Sequence, residues 1–104
     1  MEEGHYRLIR EGLARVQTRI QSSQAGVLAG SRVLVGQVSK DSYVRVARNR
    51  RVLWTGRIRE LEGFAKAGRP ASAGQNCTIA FDGFEAFQVG DSIEAFQLKP
   101  SRDR

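Results

Sequence analysis

The 104-residue sequence predicts an all-β domain, a closed antiparallel β-barrel, and three observations predict it. Apolar and polar residues alternate with period two from residue 14 onward, in runs rich in β-branched side chains. Turn signals built on Gly, Asn and Asp recur about every ten residues and mark off six or so short strands. The length suits one domain, in which a single core buries roughly 65% of the unfolded surface.

Taken in order, Ala14, Val16, Thr18 and Ile20 share one face of a first strand, with Arg15, Gln17, Arg19 and Gln21 on the other. A second strand runs from Gly26 to Val38, where Gly30 and Gly36 predict bends or bulges. Val44 and Val46 oppose Tyr43 and Arg45 in a third. Arg48-Asn49-Arg50 then makes a turn with Asn49 as its left-handed residue. The run from Arg51 to Leu61 puts Val52, Trp54 and Ile58 inside and Arg51, Thr55, Arg57 and Arg59 outside. Residues 62–74 hold Gly63, Gly68, Pro70 and Gly74 and read as a surface excursion. Cys77, Ile79 and Phe81 alternate with Asn76, Thr78 and Ala80. Asp82-Gly83-Phe84 and Val89-Gly90-Asp91 are turns, and Ser92 to Leu98 is the last strand. The start differs, because Tyr6, Ile9 and Leu13 lie on one helical face. Residues 1–13 are therefore expected as a short helical or frayed connector, 14–98 as the barrel and 99–104 as a disordered tail.

The charge of +6 is unevenly placed. Residues 5–59 carry 12 Lys and Arg against 2 acids, whereas 60–98 carry 2 against 6. Arginine supplies 14 of the 17 basic residues, and its planar fork suits phosphate, so a polyanion such as RNA is the partner that charge favours. Arg45, Arg51, Arg57 and Arg59 would stand on adjacent strands beside Tyr43, joining cations to a stacking ring. No P-loop pattern occurs, so phosphates of a nucleotide have no cradle of the usual kind. His5 is the only histidine and has no partner spacing for a metal site, and Cys77 keeps phase with Ile79 and Phe81 as a packing thiol. No catalysis, cofactor or metal is expected. No run of about 18 apolar residues is present, so no membrane partner is expected.

From about Ala14 to Leu98 the chain resembles the C-terminal domain of bacterial- or organellar-type translation initiation factor 2. The resemblance is carried by Ala25-Gly26-Val27-Leu28-Ala29-Gly30, by the stretch from Gly36 to Arg48, and by Trp54-Thr55-Gly56-Arg57-Ile58. It continues through Leu61, Phe64, Gly74, Cys77 and Val89-Gly90-Asp91-Ser92-Ile93-Glu94-Ala95-Phe96. It implies a barrel of the translation-factor domain II type that holds the aminoacyl acceptor end of formylmethionyl initiator tRNA. The implied partners are that tRNA, the ribosome and an upstream GTPase module, in the cytoplasm or in the mitochondrial or plastid matrix. The implied tRNA-end pocket is Phe64, Gly74, Asn76, Cys77 and Thr78, with Arg45, Arg57, Arg59 and Lys66 on phosphates. The chain departs from the family at Gly63-Phe64-Ala65-Lys66-Ala67, where Arg-Phe-Lys-Asp-Asp is usual, and at Asn76-Cys77-Thr78, where Glu-Cys-Gly is usual. Lost charge-assisted contacts are each worth about 1 to 3 kcal/mol, so poor selectivity for the formylmethionyl group is expected. The alternative is a ribosome-, RNA- or protein-docking module with a degenerate tRNA pocket, and behind it the barrel of another translational GTPase.

Overall fold

A computed structural model describes residues 6–63 and 69–100. It contains seven strands: β1 (Tyr6–Ser22), β2 (Gly26–Val38), β3 (Tyr43–Arg48), β4 (Arg51–Gly63), β5 (Ala71–Ser72), β6 (Asn76–Phe81) and β7 (Ser92–Pro100). Among the described residues there is no helix. All pairings are antiparallel in the order β1-β7-β3-β4-β6-β2, and the β1–β2 pairing closes these six strands into a barrel-like ring. The short β5 adds to β2 at Gln37 and Val38.

The alternating residues fill the ring. Ala14, Val16, Val33, Val44, Val46, Ile79, Ile93 and Ala95 are each at most 1% exposed. At one end of the ring Trp54 stacks on Phe84 with centroids 5.1 Å apart and meets Phe81 edge-on at 5.6 Å, and Phe81 meets Phe87 at 5.4 Å. Such pairs add about 0.5 to 1.5 kcal/mol each beyond the burial of the rings. The two-residue loop between β3 and β4 has Asn49 at φ 53° and Arg50 at φ 69°, the paired left-handed geometry that matches strand twist in a tight hairpin.

Three expectations change. Residues 6–13 form strand instead of a helical or frayed connector, because Tyr6 to Arg10 pair with Phe96 to Pro100. The ladder satisfies backbone groups that a short helix with nothing to pack on would leave to water. The regular structure thus begins ahead of residue 14 and runs past 98 to Pro100. Residues 1–5 and 101–104, expected as parts of the connector and tail, lie outside the described residues. Thr18 and Ile20 leave the face of Ala14 and Val16, because an irregularity between Val16 and Thr18 reverses the phase and puts Ile20 outside, 36% exposed. A like irregularity at Val46/Ala47 turns Val52 outward, 51% exposed, while Trp54 stays on the core side.

Two polar groups fix the places where β1 and β7 join the ring. A register shift between Arg10 and Gly12 turns Glu11 toward the β2–β3 connection. There its carboxylate accepts bonds from Ser42 Oγ, from Ser39 Oγ at 3.3 Å and from Gln37 Nε2 at 3.4 Å. Asp91, 1% exposed, accepts from Arg48 Nε at 2.8 Å and Nη2 at 2.9 Å, and from the Gln88 amide at 2.8 Å. The hydrogen bonds from Arg48 hold the Asp91 carboxyl below its usual pKa against the opposing effect of burial. A carboxyl lowered on folding stabilises above its unfolded pKa of about 3.9 and loses that contribution as pH falls toward the folded value. Chemical denaturation should therefore show stability declining below about pH 4.5. Asp91→Asn should start about 2 to 3 kcal/mol lower and flatten that decline, and a variant with the parental acid profile would remove Asp91 as its source.

Candidate functional site

A surface cavity of about 470 Å³ lies over β1, β2, β6 and the end of β4, lined by Gln17, Thr18, Ile20, Gly30, Ser31, Glu62, Gly63, Asn76, Cys77 and Thr78. Its origin is a cross-strand row. Thr18 pairs with Gly30, Gly30 with Thr78, and Thr78 with Glu62, so the one position without a side chain falls in the middle of a wall of side chains. A Cβ on Gly30 would run into Thr18 Cγ2. The reversal at Val16/Thr18 brings Ile20 to the rim and gives the cavity apolar surface.

Cys77 pairs with Ser31 on one side and Gly63 on the other, and its side chain is 4% exposed. Burial pushes the thiol pKa up to about 11, so at neutral pH it is a weakly polar packing group and not a nucleophile. Gly63 lets β4 close on β6: a Cβ there would stand 2.9 Å from the Asn76 carbonyl oxygen and 3.1 Å from Cys77 Cβ. Thr78 Oγ1 donates to the Glu62 carbonyl at 3.4 Å, tying the two strand ends together. Among the described lining residues Glu62 is the one that carries a charge. The site can therefore hold a compact, partly apolar group with hydrogen-bonding edges. Among the described residues no group of three or more His, Cys, Asp and Glu could hold a metal.

Of the residues expected at a tRNA-end pocket, Asn76, Cys77 and Thr78 line this cavity. Gly74 sits in the β5–β6 turn, where its amide donates to the Val33 carbonyl at 2.8 Å, and does not line it. Phe64 and Lys66 lie outside the described residues. The arginines expected on one face divide between two places. Arg45 lies over Phe96 and Arg57 over Tyr43, on the outer face of β3, β4 and β7. Arg59, at the irregularity between Ile58 and Glu60, donates instead to the Ala25 carbonyl in the β1–β2 turn. Sequence reasoning missed Gln17, Thr18, Ile20, Gly30, Ser31 and Glu62 as lining residues. The available signal was Gly30 inside an otherwise β-branched strand, which marks a bulge or a missing wall.

The ring, the cavity and the arginine-bearing flank define a small antiparallel β-domain with a concave site on its outer surface. Comparison with known proteins gives it a family. The chain is 38% identical over 87 residues to translation initiation factor IF-2 of Thermus thermophilus, covering 84% of the chain. It is 36% identical over 97 residues to that of Pelotomaculum thermopropionicum and 40% identical over 91 residues to that of a Synechococcus strain, covering 93% and 88% of the chain. The chain belongs to the translation initiation factor IF-2 family, as the counterpart of one domain-sized stretch of it. It spans only 15%, 10% and 9% of the length of those three curated relatives. No protein-family model matches it.

Proposed function

We propose that this domain binds the aminoacyl acceptor end of initiator tRNA in the cavity over β1, β2 and β6, and that it contributes binding without catalysis. The observation that carries the reading is that Asn76, Cys77 and Thr78, which stand at the positions the resemblance implies for a tRNA-end pocket, line one concave site in a chain of this family. Burial of Cys77 and the apolar rim at Ile20 suit a thioether side chain, and the threonine hydroxyls suit an ester or amide. Arg59 and Lys66 flank the cavity-lining Glu62 and Gly63 in sequence and contact phosphates near the ester, while Arg45 and Arg57 reach backbone farther from it. GTP hydrolysis belongs to a GTPase module upstream in the full factor, and the domain works where ribosomes work, in the cytoplasm or an organellar matrix. No helix among the described residues is long and apolar enough to cross a membrane.

The second reading, a docking module on the ribosome, draws support from Glu62: a carboxylate as the described cavity's one charge gives no anchor for a phosphate. Ester hydrolysis separates the two. The domain should slow deacylation of formylmethionyl-tRNA several-fold at low salt, and unformylated methionyl-tRNA nearly as much, because Gly63, Ala65 and Asn76 stand where the family usually has charged residues. Absence of protection for either tRNA at low salt would favour the docking module.

A further inference from the structure

We propose that the outer face of β1, β7, β3 and β4 is a second, separate site that binds single-stranded RNA by stacking bases on two arginine–aromatic pairs. The face is a row set by strand register: Arg10 pairs with Phe96, Phe96 with Tyr43, and Tyr43 with Arg57. Four adjacent strands thus present cation, ring, ring and cation side by side. All four point outward, since the flanking Val44 and Ala95 are fully buried in the ring.

The guanidinium groups are already placed. Arg57 Cζ lies 4.8 Å from the centre of the Tyr43 ring and Arg45 Cζ 4.9 Å from that of Phe96. The attraction between a cation and a ring face holds each long side chain against its own flexibility. Phe96 is 9% exposed, whereas the side chain of Arg45 above it is 39% exposed, so the arginine and not the ring presents the accessible surface. A guanidinium in that position offers its open face to a base and its N–H edge to a phosphate, which are the two chemistries by which single strands are held.

Charge supports the same occupant. Glu94 pairs with Arg45 at 3.5 Å and Arg10 at 3.8 Å, and it is the one carboxylate among these groups against three arginines. The row continues onto the two-stranded extension, where Leu8 faces Leu98, 43% and 46% exposed, giving a strand of bases apolar surface beyond the arginines. The cavity opens on the arc of β1, β2 and β6, so one short oligonucleotide need not touch both sites.

The test uses the full chain and a labelled single-stranded ten-nucleotide RNA with no aminoacyl end, beside a duplex RNA with the same number of phosphates, read by fluorescence anisotropy across a salt series. The double variant Arg45→Lys with Arg57→Lys keeps both charges and removes the planar groups. It should weaken single-strand binding about a hundredfold, the worth of two lost base stacks, and leave duplex binding within about twofold. Tyr43→Leu, which frees Arg57, should act in the same direction. Equal affinity of parent and lysine variant for the single strand, equal affinity of the parent for strand and duplex, or no RNA binding at low salt would each overturn the proposal and return this face to protein docking. Thermal unfolding of each variant establishes that the fold is retained. Should Tyr43→Leu fail to fold, the lysine pair still decides, because it changes only groups at the surface. Thr78→Trp, which fills the cavity and lies away from Arg45 and Arg57, should leave single-strand binding unchanged, so this site and the cavity fail or stand separately.

Discussion

Gly12→Ala is expected to remove a substantial part of the domain's stability, and Gly36→Ala to do the same. The two glycines are register partners where β1 leaves the ring beside β2. A Cβ on Gly12 would collide with the Gln37 carbonyl and lie 2.6 Å from the Gln37 amide nitrogen. A Cβ on Gly36 would collide with the Glu11 carbonyl, and Gly36 also holds φ at +65°. Each obstacle is backbone, so neither can be relieved by a rotamer change; the strands must separate, which would also break the hydrogen bonds around Glu11. Overpacking of this kind costs about 1 to 3 kcal/mol, and a left-handed backbone adds about 1 kcal/mol or more for Gly36. Against a total of roughly 5 to 15 kcal/mol, the melting temperature should fall by about 10 to 20 °C. Gly74→Ala is the control. Its φ of +90° is equally left-handed, but nothing stands within 4 Å, so it should lose only about 1 kcal/mol. Should Gly12→Ala melt within a few degrees of the parent, the close approach of β1 to β2 would be wrong.

Much of the ring was legible in the sequence because period-two alternation reports directly on which residues face a core. Val44 and Val46, Cys77 and Ile79, and the Asn49 turn all follow from that pattern and from turn chemistry. What escaped is phase. Alternation extrapolated through Val16 assigns Thr18 and Ile20 to the core, and one irregularity sends both outside, where they become walls of the cavity. The same happened at Val52. Irregularities of this kind depend on how one strand meets its neighbour, and that pairing is nonlocal. The helical reading of Tyr6, Ile9 and Leu13 failed for a related reason, since their partners lie some 90 residues away in β7. The arginines illustrate the limit on sites: spacing identified Arg45, Arg57 and Arg59 as outward, yet only register could show that Arg45 and Arg57 cover aromatic rings and that Arg59 caps a turn.

Thr78→Trp should abolish protection of the aminoacyl ester while leaving the fold and single-stranded RNA binding intact. Thr78 is half-buried on the outer face of β6, between Gly30 and Glu62, so a larger side chain there grows into the cavity and not into the core. The cavity of about 470 Å³ beside Thr78 has room for an indole without displacing backbone, and β6 tolerates an aromatic residue because the pleated surface favours it. The only hydrogen bond lost is the weak one from Thr78 Oγ1 to the Glu62 carbonyl at 3.4 Å, worth about 0.5 to 1 kcal/mol, so unfolding should shift by a few degrees at most. An aminoacyl group that needs the same volume would be excluded, and affinity should fall at least about a hundredfold, equivalent to roughly 3 kcal/mol. Deacylation of methionyl-tRNA in the presence of the variant should then match the rate in its absence. Cys77→Ser probes the same cavity from below. It keeps the size of the side chain but puts a hydroxyl at a desolvated position, and it should weaken protection less than the indole does. If Thr78→Trp still protects the ester as the parent does, the aminoacyl end lies elsewhere on the domain and the cavity over β1, β2 and β6 is not its site.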